Sequence, residues 1–129
     1  MSFAVLGIMD RPFRGAIEVQ FFDVLYGVLD LSAQFSRADV ALRGLAVTLA
    51  VRDGGYELAL KIGASTLTTL PDYRAAVSSL VAEGIQVFVD EPDLKRLGFG
   101  AGDLVPGVQC LDTNELAARW GDYEAVWFV

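Results

Sequence analysis

Short runs of mainly apolar residues constrain the fold of this chain more than any other feature. Phe3–Met9, Leu45–Val51 and Ile85–Val89 are each about as long as a strand and lack a regular polar alternation. Strands that are apolar on both faces are typical of parallel sheets covered by helices on both sides. Val108–Leu111 and Ala125–Phe128 are shorter runs of the same kind. The sequence therefore predicts a sheet of five mostly parallel strands.

Segments with helical spacing separate these strands. Proline is common in the first turn of a helix and glycine is common just after its end. Pro71 and Gly84 therefore indicate the start and the end of one helix. Gly63–Leu70 is expected to be a loop. The alternation of strands and helices, with no repeat or linker, predicts one α/β domain over residues 1–129, with helices on both faces of the sheet. The predicted helices are Ala16–Leu31, a short one at Tyr56–Ile62, Pro71–Gly84, Pro92–Leu97 and Thr113–Trp120.

The charge balance argues against several classes of partner. The chain has 17 acidic and 10 basic residues, a formal net charge of -7. A nucleic-acid or anionic-lipid surface requires clustered basic residues, so neither is an expected partner. The chain has no histidine and one cysteine, which removes the commonest general base and any zinc site built on several cysteines. We expect no cofactor.

The N-terminal segment MSFAVLGIMDRPF lacks the basic start of a signal peptide and is interpreted as the first core strand. No apolar run reaches the roughly 18 residues of a membrane span. A cytoplasmic protein is the expectation.

Carboxylates follow the predicted strands at Asp10, Asp53, Asp90 and Asp112. In an open α/β sheet, sites lie beyond the C-terminal ends of the strands. Carboxylates there suit Mg²⁺, but aspartate also caps helices and begins turns, and the capping interpretation is favoured. We expect no metal site. The candidates for a ligand pocket at this edge are Asp10, Arg11, Arg14, Asp53, Asp90 and Glu91.

The stretch DEPDLKR after the third predicted strand has the charge order of a helix start. Its acids come first and its bases last, which the helix dipole favours. Cys110 lies on or near the fourth predicted strand, with no Lys or Arg within eight residues. A core thiol is therefore favoured over a reactive one, and no catalytic residue is assigned, with Cys110 as a weak candidate.

The first predicted helix has two apolar faces. One, which includes Phe21 and Leu25, can cover the sheet. The second would be exposed in a monomer unless a loop over 32–44 covers it, and a subunit interface is the favoured interpretation. The interface candidates on this second face are Val19, Phe22, Tyr26 and Leu29.

Three stretches resemble the sulfur-relay proteins of the DsrE/DsrF/DsrH (TusD/TusC/TusB) superfamily, nearest the DsrF or TusC branch. They are RPFRG at 11–15, RDGGY at 52–56, and QVFVDEPDLKRLGF at 86–99 with its continuation to DLV at 103–105. The end of the chain, DYEAVWF at 122–128, is similar to the last strand of that branch. The resemblance implies a three-layer, flavodoxin-like α/β fold.

The resemblance also implies a reason to doubt catalysis. The active members carry a persulfide on a cysteine just after the third strand, and the matching position here is Asp90. Members that lack this cysteine assemble with active subunits, so a non-catalytic or diverged subunit is expected, in a homo-oligomer (trimer or hexamer) or a hetero-oligomer of related subunits. It would act through protein interaction or small-ligand binding. The alternative is an enzyme, either a thiol relay on Cys110 or a Mg²⁺-dependent activity of the strand-end aspartates.

Overall fold

The structure is a computed structural model that describes residues 3–12, 24–52, 59–68 and 73–129. Five parallel strands form its central sheet, in the spatial order β6-β5-β2-β1-β7. Two further strands form a separate antiparallel hairpin. In chain order the strands are β1 Ala4–Met9, β2 Arg37–Leu42, β3 Leu60–Ile62, β4 Ser65–Leu67, β5 Val87–Asp90, β6 Gln109–Leu111 and β7 Ala125–Phe128.

Helices lie on both faces of this sheet, which confirms the predicted α/β fold. On one face, Val40, Val87 and Val89 share a buried core with Leu25 and Leu80 from two helices. On the other face, Leu6, Ile8 and Phe88 pack against Leu116. The helices are α1 Val24–Ser32, α2 Tyr73–Ala82, α3 Glu91–Arg96 and α4 Thr113–Ala118, with 3-10 helices at Gly44–Ala50, Ala101–Asp103 and Arg119–Asp122.

The glycine stops predicted after two helices, at Gly84 and Gly98, are confirmed, whereas Gly121, predicted as a third, lies inside the 3-10 helix Arg119–Asp122. Gly84 has a φ of 82° and Gly98 a φ of 88°, in the left-handed region that glycine adopts without steric cost. The amide of Ile85 donates to the carbonyl of Leu80, and the amide of Phe99 donates to the carbonyl of Leu94. These bonds satisfy carbonyls at the ends of α2 and α3, as in a Schellman motif.

The second strand was predicted in the wrong segment. Leu45–Val51 is apolar, yet Gly44–Ala50 is a 3-10 helix, and the strand lies at Arg37–Leu42 instead. This earlier segment lies within 32–44, where the sequence suggests a loop. The carboxylate of Asp39 is buried and accepts hydrogen bonds from the amide of Gln86 and the hydroxyl of Tyr123. Because these bonds satisfy the carboxylate, a charged residue can occupy a buried strand.

Two smaller expectations also differ from the structure. Tyr56–Ile62 is predicted to be a short helix, but its last three residues form β3. Gly63–Leu70 was predicted to be a loop, but Ser65–Leu67 forms β4. Gly63 has a φ of 60° in the two-residue turn between them. Such turns require positive φ, which explains why a glycine here specifies a hairpin.

Candidate functional site

An open cleft of about 480 Å³ lies at the carboxyl edge of the sheet. Residues at or just after the ends of four neighbouring strands converge there. They are Asp10 after β1, Arg43 after β2, Asp90 at the end of β5, and Thr113 after β6. The remaining lining residues come from the segments that leave β2 and β5. They are Gly44, Pro92, Asp93 and Arg96.

The strand order places this cleft close to the point where the chain stops adding strands on one side of β1 and begins on the other. The chain adds β2, β5 and β6 on one side of β1 and then returns to place β7 on the other side. Ligands of open α/β sheets bind beyond the carboxyl ends of the strands near such a switch point. Asp10 follows β1 directly and lines the cleft, so the cleft extends to the switch point beside β1.

Asp90 is the most deeply buried carboxylate of the cleft, with 3% of its surface exposed. It is both the last residue of β5 and the N-cap of α3. Its Oδ1 accepts the amide of Asp93 at 3.0 Å, and its Oδ2 accepts the hydroxyl of Thr113 at 2.9 Å. Both oxygens are therefore used to join β5, α3 and α4.

Asp93 connects α3 to the end of β2. One carboxylate oxygen accepts the amide of Gly44 at 2.8 Å, and the other accepts Arg96 Nη1 at 2.7 Å. Gly44 has a φ of 55°, and a Cβ at this position would lie 3.2 Å from the carbonyl oxygen of Asp10. Glycine therefore allows the end of β2 to approach the end of β1 and α3 at the same time.

Arg43 forms the wall of the cleft nearest β7. Its Nε and Nη2 donate to the two carboxylate oxygens of Asp10, at 2.9 and 3.3 Å. Its guanidinium carbon lies 5.8 Å from the ring centroid of Trp120 and 5.5 Å from that of Phe128. A paired and stacked guanidinium is held in one position, which makes Arg43 the most constrained cation of the site.

Cys110 does not line this cleft. It is the parallel partner of Val89 in the sheet and packs against the core on the α1 side, whereas Asp90 turns toward Thr113. Its sulfur lies 3.7 Å from Oε2 of Glu91, and Lys95 Nζ donates to Oε1 of the same carboxylate at 2.9 Å.

Two effects oppose ionisation of this thiol. Burial raises the pKa of Cys110, and the Glu91 carboxylate raises the pKa of the thiol further. The hydrogen bond from Lys95 lowers the pKa of Glu91, which keeps that carboxylate charged beside the sulfur. Since the thiolate is the nucleophilic form, the arrangement favours an inert cysteine.

The structure brings together only part of the predicted pocket. Asp10 and Asp90 line the cleft, whereas Glu91 faces Cys110 and exposed Arg11 is not among the lining residues that the structure describes. Arg14 and Asp53 lie outside the described residues. Because β2 was misplaced in the sequence, Arg43 and Gly44, which follow it, were missed. The other lining residues that were not predicted lie in α3 and at the start of α4, and they are Pro92, Asp93, Arg96 and Thr113.

No group of three or more acidic or cysteine side chains arranged to hold a metal ion occurs within the described ranges. Asp10 and Asp93 instead have arginine partners. Asp53, which the magnesium alternative combines with Asp10 and Asp90, lies outside those ranges.

Of the interface candidates, Leu29 is half-buried and packs against the core on the α1 side. Val19 and Phe22 lie outside the described residues, as does the side chain of Tyr26. No helix in the described part of the chain is long and apolar enough to cross a membrane.

Two solved structures share this architecture over the whole chain. The ychN protein from E. coli is 21% identical, with a TM-score of 0.72 and full coverage of both chains. A protein of unknown function, MTH1491 from Methanobacterium thermoautotrophicum, is 17% identical, with a TM-score of 0.69, and covers 99% of this chain and 100% of its own. This chain has a DsrE-like fold.

At these identities the likeness establishes the fold of the DsrE-like domain and not its activity. No protein-family model matches the sequence. No curated protein matches it either.

Proposed function

We propose that this DsrE-like chain is a non-catalytic or diverged subunit of the sulfur-relay superfamily, nearest its DsrF or TusC branch. It works in the cytoplasm by binding, either to other subunits or to a small ligand, and not by carrying sulfur itself. The observation that supports this most directly is Asp90, which ends β5 at the position where the resemblance expects a cysteine.

Asp90 is unsuited to the relay reaction. A carboxylate cannot hold a sulfane sulfur, and its oxygens already accept two hydrogen bonds that cap α3 and hold Thr113. The position has thus acquired a structural role. Cys110 is a poor substitute, because it lies outside the cleft and its thiol is disfavoured from ionising.

Assembly is the second part of the proposal. Superfamily members without the cysteine act beside an active subunit, and the apolar second face predicted for the first helix supports a trimer, a hexamer or a hetero-oligomer here. In such an assembly the partner would supply the reactive thiol.

A sulfur-loading experiment tests the non-catalytic role. The protein is incubated with inorganic polysulfide, and intact-mass spectrometry then measures added sulfur on wild type, Cys110→Ser and Asp90→Cys. We expect no stable added sulfur on wild type, because neither position offers an accessible thiolate. A persulfide on wild type that disappears in Cys110→Ser would overturn the proposal in favour of a relay on Cys110.

The magnesium alternative has a separate test. A cation that binds the folded state raises its thermal midpoint. We expect the same midpoint with and without Mg²⁺, since Asp10 and Asp93 are already paired with arginines. An upward shift that is lost in Asp10→Asn would favour the enzymatic alternative.

A further inference from the structure

The lining of the cleft carries charges of both signs in a small space. It contains three aspartates, Asp10, Asp90 and Asp93, and two arginines, Arg43 and Arg96. Within the proposed binding role, on which this inference rests, we propose that the cleft binds a small zwitterion with an ammonium and a carboxylate group, of the free amino-acid class.

The negative end of the site is Asp90. Arg43 pairs with Asp10 and Arg96 with Asp93, so the two cations of the cleft are committed to the more exposed aspartates. Asp90 accepts hydrogen bonds only from uncharged donors among the described residues, an amide and a hydroxyl. A buried carboxylate without a cation is costly, and a ligand ammonium in the cleft would supply the missing charge.

The positive end of the site is formed by the two guanidinium groups. Asp10 occupies Nε and Nη2 of Arg43, and no described residue accepts a bond from its Nη1. Asp93 occupies Nη1 of Arg96, whose side chain is 72% exposed. The remaining N–H groups form donor edges suited to a carboxylate, and stacking on Trp120 and Phe128 fixes one of them in place.

Ligands with a single kind of charge complement this cleft less well than a zwitterion. With three aspartates and two arginines, the lining has one excess negative charge, so an inorganic dianion such as phosphate would meet net repulsion. A simple amine would satisfy Asp90 but leave the guanidinium edges unused. A ligand with both charges complements both ends of the cleft and gains from each.

Isothermal titration calorimetry of the full chain tests the ligand class. The standard L-amino acids are screened at millimolar concentration, and the best binder is compared with its N-acetyl and its carboxamide derivatives. Each derivative removes one charge, so we expect each to bind at least about tenfold more weakly. Inorganic phosphate is titrated in parallel and is expected not to bind.

Two variants assign the binding to the cleft. Arg96→Gln removes an exposed donor edge without disturbing the core and is expected to weaken binding about tenfold. Lys61→Gln removes an exposed charge on the hairpin that is not part of the cleft lining, and it is expected to leave binding unchanged.

Several results would overturn the proposed ligand class. One is that no amino acid gives a heat of binding, and another is that the N-acetyl derivative binds as tightly as the parent amino acid. The others are that phosphate binds more tightly than any amino acid, or that Arg96→Gln retains full affinity. Amino-acid binding and sulfur loading are measured separately, so the polysulfide experiment tests the non-catalytic role whatever the outcome of the titrations.

Discussion

Asp90 shows at the residue scale how local chemistry and position in the fold combine. The sequence DEPD predicts a helix start, and the structure confirms that the Asp90 side chain caps α3. The bond from Thr113 is a long-range contact that capping rules do not predict. The side chain is therefore both a local cap and a link between two helices.

Removing this side chain should destabilise the protein. We expect Asp90→Ala to lower the free energy of unfolding by about 2 kcal/mol, because one cap bond and the Thr113 bond are lost. Urea denaturation measures the change. Asp112→Ala is the matched control, since it removes an exposed N-cap whose bond is longer, 3.3 Å, and should cost less than about 1 kcal/mol. Equal costs for the two variants would contradict the linking role of Asp90.

The reactivity of Cys110 is also decided by its neighbours. We expect iodoacetamide to modify it more slowly at neutral pH than an unstructured cysteine peptide, because burial and Glu91 raise the pKa of the thiol. In Glu91→Gln the pH profile of alkylation should move to lower pH. In Lys95→Gln it should move slightly the other way, since Lys95 favours the thiolate. Rapid modification of wild type at neutral pH would contradict an inert thiol.

At the scale of elements, Asp39 and Tyr123 hold the amino edge of the sheet together. Asp39 lies in β2, accepts the amide that precedes β5, and accepts the Tyr123 hydroxyl at 2.7 Å just before β7. Arg37 completes the group, with its Nε 3.1 Å from Asp39 and its guanidinium 4.6 Å from the centre of the Tyr123 ring. This group connects three parts of the chain at the edge opposite the cleft.

Tyr123→Phe should remove part of this connection. The hydroxyl donates to a buried carboxylate, so we expect a loss of about 2 kcal/mol in the free energy of unfolding at neutral pH. Burial and the bond to Asp39 raise the pKa of Tyr123 above its ordinary value of 10.0. The unfolded chain then releases this proton first, and the stabilisation present below pH 10.0 is lost as the pH rises further.

Denaturation at several alkaline pH values measures this effect. The stability difference between wild type and Tyr123→Phe should shrink as the pH rises above 10.0, because Tyr123 then ionises in the unfolded chain first. The other tyrosines titrate in both proteins, so their effects cancel in this difference. A difference that stays constant over this range would contradict the coupling between Tyr123 and Asp39.

At the scale of the whole molecule, the contacts of the first helix decide which of its residues are available for assembly. Its described part begins at Val24, and Leu25 and Leu29 both pack toward the core of the same domain. Leu29, one of the four interface candidates, is therefore already partly buried within its own domain. The proposed assembly therefore depends mainly on Val19, Phe22 and Tyr26.

Light scattering coupled to size exclusion tests the assembly. We expect a particle of three or six chains at micromolar concentration, and a shift to smaller species in Phe22→Glu, because a buried charge opposes an apolar contact. Asp30→Ala, at an exposed position of α1, is the control and should not change the mass. Thermal unfolding of Phe22→Glu separates lost assembly from lost folding. A monomeric wild type would contradict the trimer and the hexamer.

The sequence by itself determined the α/β class, four of the five sheet strands, two glycine helix stops and the cap at Asp90. These features depend on apolar runs and on interactions between residues near one another in the chain. Only the tertiary structure decided that Arg37–Leu42 is a strand and that Leu45–Val51 is not. It also decided that Arg43, Asp93, Arg96 and Thr113 meet Asp10 and Asp90 in one cleft. The physical reason is that a buried charge such as Asp39 is acceptable in a strand only when distant residues supply its hydrogen bonds.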